Sequence, residues 1–398
     1  MNMDCRHARG SKTRPMRLTP RSAFAFAALL LAPLAVLRAG ELTLGAVFSD
    51  HMVLQRDKAV PVWGSADPNE QITVEFAGQK ETTIAGADGK WLVKLNPMAA
   101  SAESRTLLVR SGQQDRKVEV ADVLVGDVWL AAGQSNMAMS VAKSGESAIA
   151  AREPLPSGIR FFGAGAWQRI TTAEVPKQSA VAWAFAREIA QAQKTPMGMI
   201  VAAKGGTRIE AWMPRSALMR TEAGRSFAAL AERPEVIAAA AEDDRAFVPY
   251  AQTKLYAWRM GRALPGASHA ELIAPLGTLS LRGVLWYQGE SNASRMEDAT
   301  AYGEHLPLLV QSWREQLEQP TLHVIVVQLP RYGQPDAEGG TGPWMQLRES
   351  QQQAVRTLAD STLVDAYDLG DPSDVHPRRK AELGQRLATA ALRRVYKP

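Results

Sequence analysis

Cysteine is nearly missing from this chain. The single one, Cys5, lies within the first forty residues. The body of the protein therefore has no disulfide framework, no thiolate nucleophile and no thiolate zinc site. Histidine is scarce as well, six in 398 residues, so general-base candidates can be weighed one at a time. An excess of one charge sign is lacking once the N-terminus is set aside. Residues 1–40 hold seven of the 46 Lys and Arg and one of the 41 Asp and Glu, leaving 39 bases and 40 acids. So even a balance gives no reason to expect nucleic-acid binding. Long hydrophobic runs are absent too. The apolar stretch 22–37, interrupted by Pro33, falls short of the ~20 residues of a membrane span. With Arg6, Arg9, Lys12, Arg14, Arg17 and Arg21 before it, residues 1–39 read as a secretory leader cleaved after Ala39, which makes the product secreted or periplasmic and free of the membrane. The alternatives are an uncleaved anchor or a misplaced start. What remains, 46% hydrophobic and 22% charged overall, is the composition of a cored globular protein.

From residue 41 to about 121 the pattern is β. Short runs such as Val60-Pro61-Val62-Trp63 and Gln71-Ile72-Thr73-Val74 are broken by turn signals (Asp67-Pro68-Asn69, Ala87-Asp88-Gly89), which predicts a small sandwich. The period then changes. The apolar run over 123–130 leads into Gly133-Gln134-Ser135. Downstream, strands at 198–202, 283–287, 322–329 and 362–366 alternate with amphipathic helices at 179–193, 301–318, roughly 344–358 and from Pro377 onward. Continuous apolar strands separated by such helices mean a parallel sheet covered on both faces. Residues 213–270, Ala-rich and charged, fit poorly and are expected to form a helical insertion.

In an open parallel sheet, ligands sit beyond the carboxyl ends of the strands. Four polar clusters fall at such ends. Gly133-Gln134-Ser135-Asn136 places a serine on a strand-to-helix turn, either as an exposed nucleophile or as a helix N-cap. Lys204-Gly205-Gly206-Thr207 lets the backbone come close to a ligand. Gln288-Gly289-Glu290-Ser291-Asn292 brings amide donors to the same rim. Asp374-Val375-His376-Pro377 offers a base with an acid two residues away. The other histidines fit a catalytic role less well: His7 is in the leader, His51 in the β region, His269 in the insertion, His305 inside a helix and His323 at a strand start. A Gly-x-Ser-x-Gly elbow is missing, since residues 133–137 read Gly-Gln-Ser-Asn-Met. That points away from the α/β-hydrolases.

The chain resembles the sialate O-acetylesterase family of SGNH (GDSL-like) hydrolases. The resemblance is carried by Val47–Arg56, Gly126-Asp127-Val128-Trp129, Gly133–Met137, Gly205-Gly206-Thr207-Arg208-Ile209-Glu210-Ala211-Trp212, Trp286–Asn292 and Asp374–Pro377, in that order. It implies a three-layer, flavodoxin-like SGNH-hydrolase domain of α/β class with a parallel sheet over 122–398, preceded by a β-sandwich over 41–121. It also implies Ser135 as nucleophile and His376 as general base, with Asp374 or else Asp371 as the acid, or a dyad with neither. The oxyanion hole would draw on the Ser135 N–H, Gly205 or Gly206, and the amide of Gln288 or Asn292. Arg208, Glu210, Trp212 and Glu290 are expected to line the substrate cleft; the other reading of the first three is a Glu–Arg pair and a packed tryptophan under the loop. The implied reaction removes acetyl groups from acetylated sugars of sialic acid type without metal or cofactor. Competing readings are an acetyl xylan or plant polysaccharide esterase, a non-catalytic carbohydrate binder, and a long-chain lipase or thioesterase.

Overall fold

Alternation of apolar residues turns the first part of the chain into antiparallel sheets. In the computed structural model, which describes residues 41–112, 116–147, 155–234, 264–333 and 342–396, strands β1 (Thr43–Leu44), β3 (Val60–Ser65) and β6 (Lys90–Leu95) form a three-stranded sheet. The leader expected over 1–39, with Cys5 and His7, lies outside the described residues. A second group joins β5 (Gln79–Ile84), β4 (Gln71–Phe76), β7 (Ser101–Ser111), β8 (Lys117–Gly133) and the short β2 (Val53–Gln55). Trp91, Val93 and Leu95 are buried between exposed neighbours, as are Ile72, Val74 and Phe76 between more accessible ones. This is the two-residue period of half-buried strands.

Strand β8 carries the chain from one region to the next. Its first part pairs with β7, its middle pairs parallel with β2, and from Asp127 onward it pairs parallel with β11 (Met197–Ala203). The change of period at 121/122 falls inside this strand, where Asp122 has φ 55° and the β7–β8 register shifts nearby. With β9 (Ile159–Gly163), β10 (Ala166–Arg169), β12 (Gly283–Tyr287), β13 (His323–Gln328) and β14 (Ser361–Asp365), the central order is β10-β9-β11-β8-β12-β13-β14. All neighbours from β9 to β14 are parallel, and β10 closes one edge as an antiparallel hairpin partner of β9. That hairpin is not legible in the sequence pattern.

Two tryptophans show the layering. Trp129 on β8 is in register with Gly283 on β12, so Trp286, three residues on, projects from the opposite face. Trp129 packs edge-on against Phe185 of α2 (Ala180–Gln193), and its indole N–H donates to Tyr396 just after α5 (Lys380–Arg394). Trp286 instead meets Trp313 and Tyr302 of α3 (Met296–Gln316), beside which α4 (Pro343–Thr357) packs. Helices therefore cover both faces of the sheet, the three-layer α/β arrangement that the resemblance implied. The last helix begins at Lys380, not at Pro377. Of the insertion expected over 213–270, the described parts form helices Arg215–Leu218 and Glu222–Ala231 and a π turn at His269–Ile273; residues 235–263 lie outside the described residues.

At the amino end of the parallel part, Asp127 is fully buried and ties four segments together. It accepts bonds from Arg56 Nε and Nη2 at 2.9 and 3.0 Å, from Arg282 Nε at 2.9 Å, and from Gln55 and Thr195 at 3.4 and 3.5 Å. Burial alone would raise its pKa, but Arg56 and Arg282 hold the carboxyl below its ordinary value. This accounts for Gln55-Arg56 and Gly126-Asp127, which lie far from the carboxyl ends of the strands.

Candidate active site

The chain runs from β8 to one side of the sheet, through β9 and β11, and then returns to the other side for β12 to β14. Such a reversal opens a crevice at the carboxyl end of β8, between the loops after β11 and β12. Gly133 ends β8 with φ 145°, and a Cβ there would collide with the Tyr287 carbonyl oxygen. Only glycine lets these strands come so close and still turn. Gln134 is the N-cap of the one-turn helix α1 (Ser135–Ala138), and Ser135 is its first helical residue. Its hydroxyl therefore does not cap the helix. It lies 2.8 Å from His376 Nε2.

The loop after β14 brings His376 there. Asp374 Oδ1 accepts the backbone N–H of His376 at 2.8 Å, which folds the loop into a tight turn. Asp371 is exposed and accepts from the Ser373 N–H and hydroxyl at 2.8 and 2.7 Å. Among the described residues no carboxylate lies within 4.0 Å of the His376 ring nitrogens. Partial burial lowers the pKa of His376; the charge of Asp374 opposes that shift and the charge of Lys380 reinforces it. Asp374 thus acts on the imidazole through the backbone and through space.

The glycine turn after β11 completes one wall. A Cβ on Gly205 would stand 3.4 Å from Ser135 Cβ, and Gly206 has φ 72°. Among the described residues the backbone N–H groups of Ser135, Gly205 and Gly206 have no hydrogen-bond acceptor.

Gln288 and Asn292 are at the rim but their amides are committed. Gln288 is fully buried, and its Nε2 faces Gln134 Oε1 at 3.1 Å, the Thr207 carbonyl at 3.0 Å and Asn292 Oδ1 at 3.0 Å. Two amide protons meet three acceptors, so none is left for an oxyanion. The orientation is fixed from outside, because Gln134 Oε1 also accepts from Ser291 N–H and Asn292 Oδ1 from Ile209 N–H. Asn292 Nδ2 is spent on both oxygens of Glu210 at 3.2 and 3.0 Å. The oxyanion role expected of these two side chains finds no free proton in this arrangement.

The residues expected to line a cleft are also enclosed. Arg208 and Glu210 are each 2% exposed and Trp212 is fully buried. Arg208 holds Glu210 through Nε at 3.2 Å and Nη2 at 2.9 Å, and reaches Asp298 at 3.1 Å. Burial would raise the Glu210 pKa, but Arg208 and His305 hold it well below the usual carboxylate range. Trp212 donates to Thr207 Oγ1 at 2.9 Å and packs edge-on to Trp286. The Glu–Arg pair and the packed tryptophan beneath the loop are both present, and Arg208 and Glu210 also line a cavity of about 220 Å³ with Phe227, Asp298 and His305. Glu290 turns inward to Asn136, and burial pushes its pKa up to about 6.

Two residues that sequence reasoning did not single out join the site. Asn136, fully buried, donates Nδ2 to the Val375 carbonyl at 2.9 Å and to Glu290 Oε1, and accepts from Lys380 Nζ at 2.6 Å. Lys380 is 1% exposed, stands 5.1 Å above the Tyr287 ring, and burial lowers its pKa to about 7. Asn136 was within the quoted motif and only its role was missed. Lys380 had no signal, because a lysine opening a helix reads as solvated. Among the described residues no group of three or more His, Cys, Asp or Glu converges as a metal site would.

A family model for carbohydrate esterases described as sialic acid-specific acetylesterases matches residues 125–393. The sialate O-acetylesterase of Rattus norvegicus is 26% identical over 298 residues, 67% of this chain and 55% of that protein. The sialate O-acetylesterase of Homo sapiens is 28% identical over 297 residues, 67% of this chain and 52% of that protein. The chain spans about half the length of these curated relatives. The crystal structure of a carbohydrate acetylesterase from Xanthomonas citri superposes with a TM-score of 0.72 at 32% identity, covering 89% of this chain and 76% of that one. This chain belongs to the sialic acid-specific acetylesterase family of carbohydrate esterases.

Proposed function

We propose that the chain is a secreted or periplasmic serine esterase that removes acetyl groups from acetylated sugars. The observation that carries this is the 2.8 Å contact between Ser135 Oγ and His376 Nε2 at the switch point of the sheet. His376 takes the hydroxyl proton as Ser135 Oγ attacks the acetyl carbonyl carbon, and the C=O electron pair moves onto oxygen. The free N–H groups of Ser135 and of Gly205 or Gly206 receive that oxyanion, replacing the amides of Gln288 and Asn292 in this role. As the oxyanion collapses, His376 protonates the sugar oxygen, the C–O bond breaks, and acetyl-Ser135 remains. Water, deprotonated by His376, then attacks the acetyl group and releases acetate and the free serine. Asp374 fixes the His376 backbone and favours the imidazolium electrostatically.

For the sugar, the family and the relatives' names support an O-acetylated sialic acid. A second reading, a neutral acetylated polysaccharide such as xylan, is favoured by a cleft of about 470 Å³ that reaches Ala138, three residues after the nucleophile. It is also lined by Phe162, Gln168, Glu174, Lys177 and Gln178. The one cation among its described lining residues, Lys177, is held by Glu174 at 3.1 Å, so a carboxylate set down there would meet a charge already neutralised. The test is acetate release from O-acetylated sialic acid and from acetylated xylan, each with wild type and Phe162→Ala. A preference for the sialic acid, unchanged by Phe162→Ala, supports the first reading. A preference for xylan, lost in Phe162→Ala, supports the second. No acetate from any acetylated sugar overturns both.

A further inference from the structure

The loop bearing His376 is pinned to the turn bearing Ser135 by one side chain. Asn136 follows the serine, Val375 precedes the histidine, and Asn136 Nδ2 donates to the Val375 carbonyl at 2.9 Å. Which way that amide points decides the contact, because a flipped Asn136 would set oxygen against oxygen. On its nitrogen side the amide meets two acceptors, the Val375 carbonyl and Glu290 Oε1. On its oxygen side it meets Lys380 Nζ at 2.6 Å, which as an ammonium can only donate. We propose that Lys380 is a positioning residue for the general base, acting through Asn136.

The placement of Lys380 supports this. It is four residues after His376, at the start of α5, and its side chain turns into the protein. Its ammonium lies over the Tyr287 ring, 5.1 Å from the centroid. Burying a cation is costly unless it is partnered. Here the partners are the Asn136 oxygen and the nearby negative charges of Glu290, Glu146 and Asp374. Glu146 itself receives the Ala381 N–H at 3.1 Å, so the same helix start is held from a second direction. A packing role alone would be met by a leucine or methionine. The ammonium adds a donor that fixes the amide, and a positive charge that disfavours a protonated His376.

This inference rests on Ser135 and His376 being the reacting pair, so Ser135→Ala is assayed alongside. With 4-nitrophenyl acetate, Lys380→Met is expected to lower kcat by about tenfold to a hundredfold with KM within about twofold, the cost of a slightly misplaced catalytic group. Asn136→Ala should behave alike, and the double variant should be no slower than the slower single one. The ascending limb of kcat/KM against pH should move to higher pH in Lys380→Met, because a charge that lowers the His376 pKa is gone. A lysine whose charge does not reach the imidazole would leave that limb in place. Circular dichroism and a thermal melt confirm folding. If Lys380→Met does not fold, Asn136→Asp takes its place: it keeps the Lys380 contact but turns an acceptor onto the Val375 carbonyl, and should lose kcat by a similar factor. Overturning results are a Lys380→Met or Asn136→Asp enzyme within about threefold of wild type, or single effects that multiply in the double variant. An active Ser135→Ala would instead strike the reacting pair itself.

Discussion

Ser135 and His376 are 241 residues apart in sequence, yet Oγ and Nε2 lie 2.8 Å from one another. The acid expected to complete the set stands elsewhere: Asp374 bonds the His376 backbone N–H and not the ring. Replacing Asp374 by alanine should therefore slow turnover far less than the ~10⁴ loss seen when a ring-bonded triad acid is disabled. Asp371→Ala should leave kcat/KM near wild type, since that carboxylate holds Ser373 and the Asp374 backbone and not the imidazole. Steady-state kinetics on both variants with 4-nitrophenyl acetate check this. A loss near ~10⁴ for either would place a true triad acid there.

The pH profile follows from the same geometry. Burial lowers the His376 pKa, so the neutral base is already present at pH values where an ordinary histidine is still protonated. The ascending limb of kcat/KM should have its midpoint below about 6.5. Asp374 favours the imidazolium, so Asp374→Ala should move that midpoint lower still. A limb that rises above about 7, or a shift upward in Asp374→Ala, would contradict the assignment.

Gln288 offers a sharp contrast between two roles. As an oxyanion donor its removal would cost about 10²–10³ in kcat. As the buried hub that bonds Gln134, Thr207 and Asn292, it should instead cost stability, about 1–3 kcal/mol, through the Thr207 carbonyl left unpaired and the two other bonds lost. Urea unfolding of Gln288→Ala beside its kcat at saturating substrate separates the two. A folded variant of wild-type stability with a ~10²-fold lower kcat returns Gln288 to the oxyanion hole.

Asp127 lies six residues before Gly133 on β8, about 20 Å from the site at strand rise. Asp127→Ala leaves Arg56 and Arg282 without their buried partner and should destabilise the fold by about 3–5 kcal/mol. Chemical denaturation should show the loss while kcat per folded molecule stays within about twofold of wild type, as expected for a site beyond coupling range.

Periodicity made the central strands and their covering helices readable: β11, β12 and β13 and helices α2 to α4 fall within a few residues of where the apolar pattern puts them. Local pattern could not show that Lys117–Gly133 is one strand crossing from antiparallel to parallel pairing, because its alternating first half and continuously apolar second half read as separate elements and only long-range partners join them. The β9–β10 hairpin was missed because Ile159–Gly163 and Ala166–Arg169 are short and of mixed polarity. In the site, Ser135, His376 and the glycines were legible from residue chemistry at strand ends. That Gln288 and Asn292 are spent on Thr207 and Glu210, and that Lys380 is buried against the Tyr287 ring, depends on contacts between distant segments.

The most direct test of the account is the activity of folded Ser135→Ala beside labelling of the wild type with a serine-directed phosphonate. Ser135→Ala should lose nearly all hydrolysis of 4-nitrophenyl acetate, and mass spectrometry should place one phosphonyl adduct on the wild type at Ser135. A folded Ser135→Ala protein that turns over the ester near the wild-type rate, or an adduct on another residue, would contradict it.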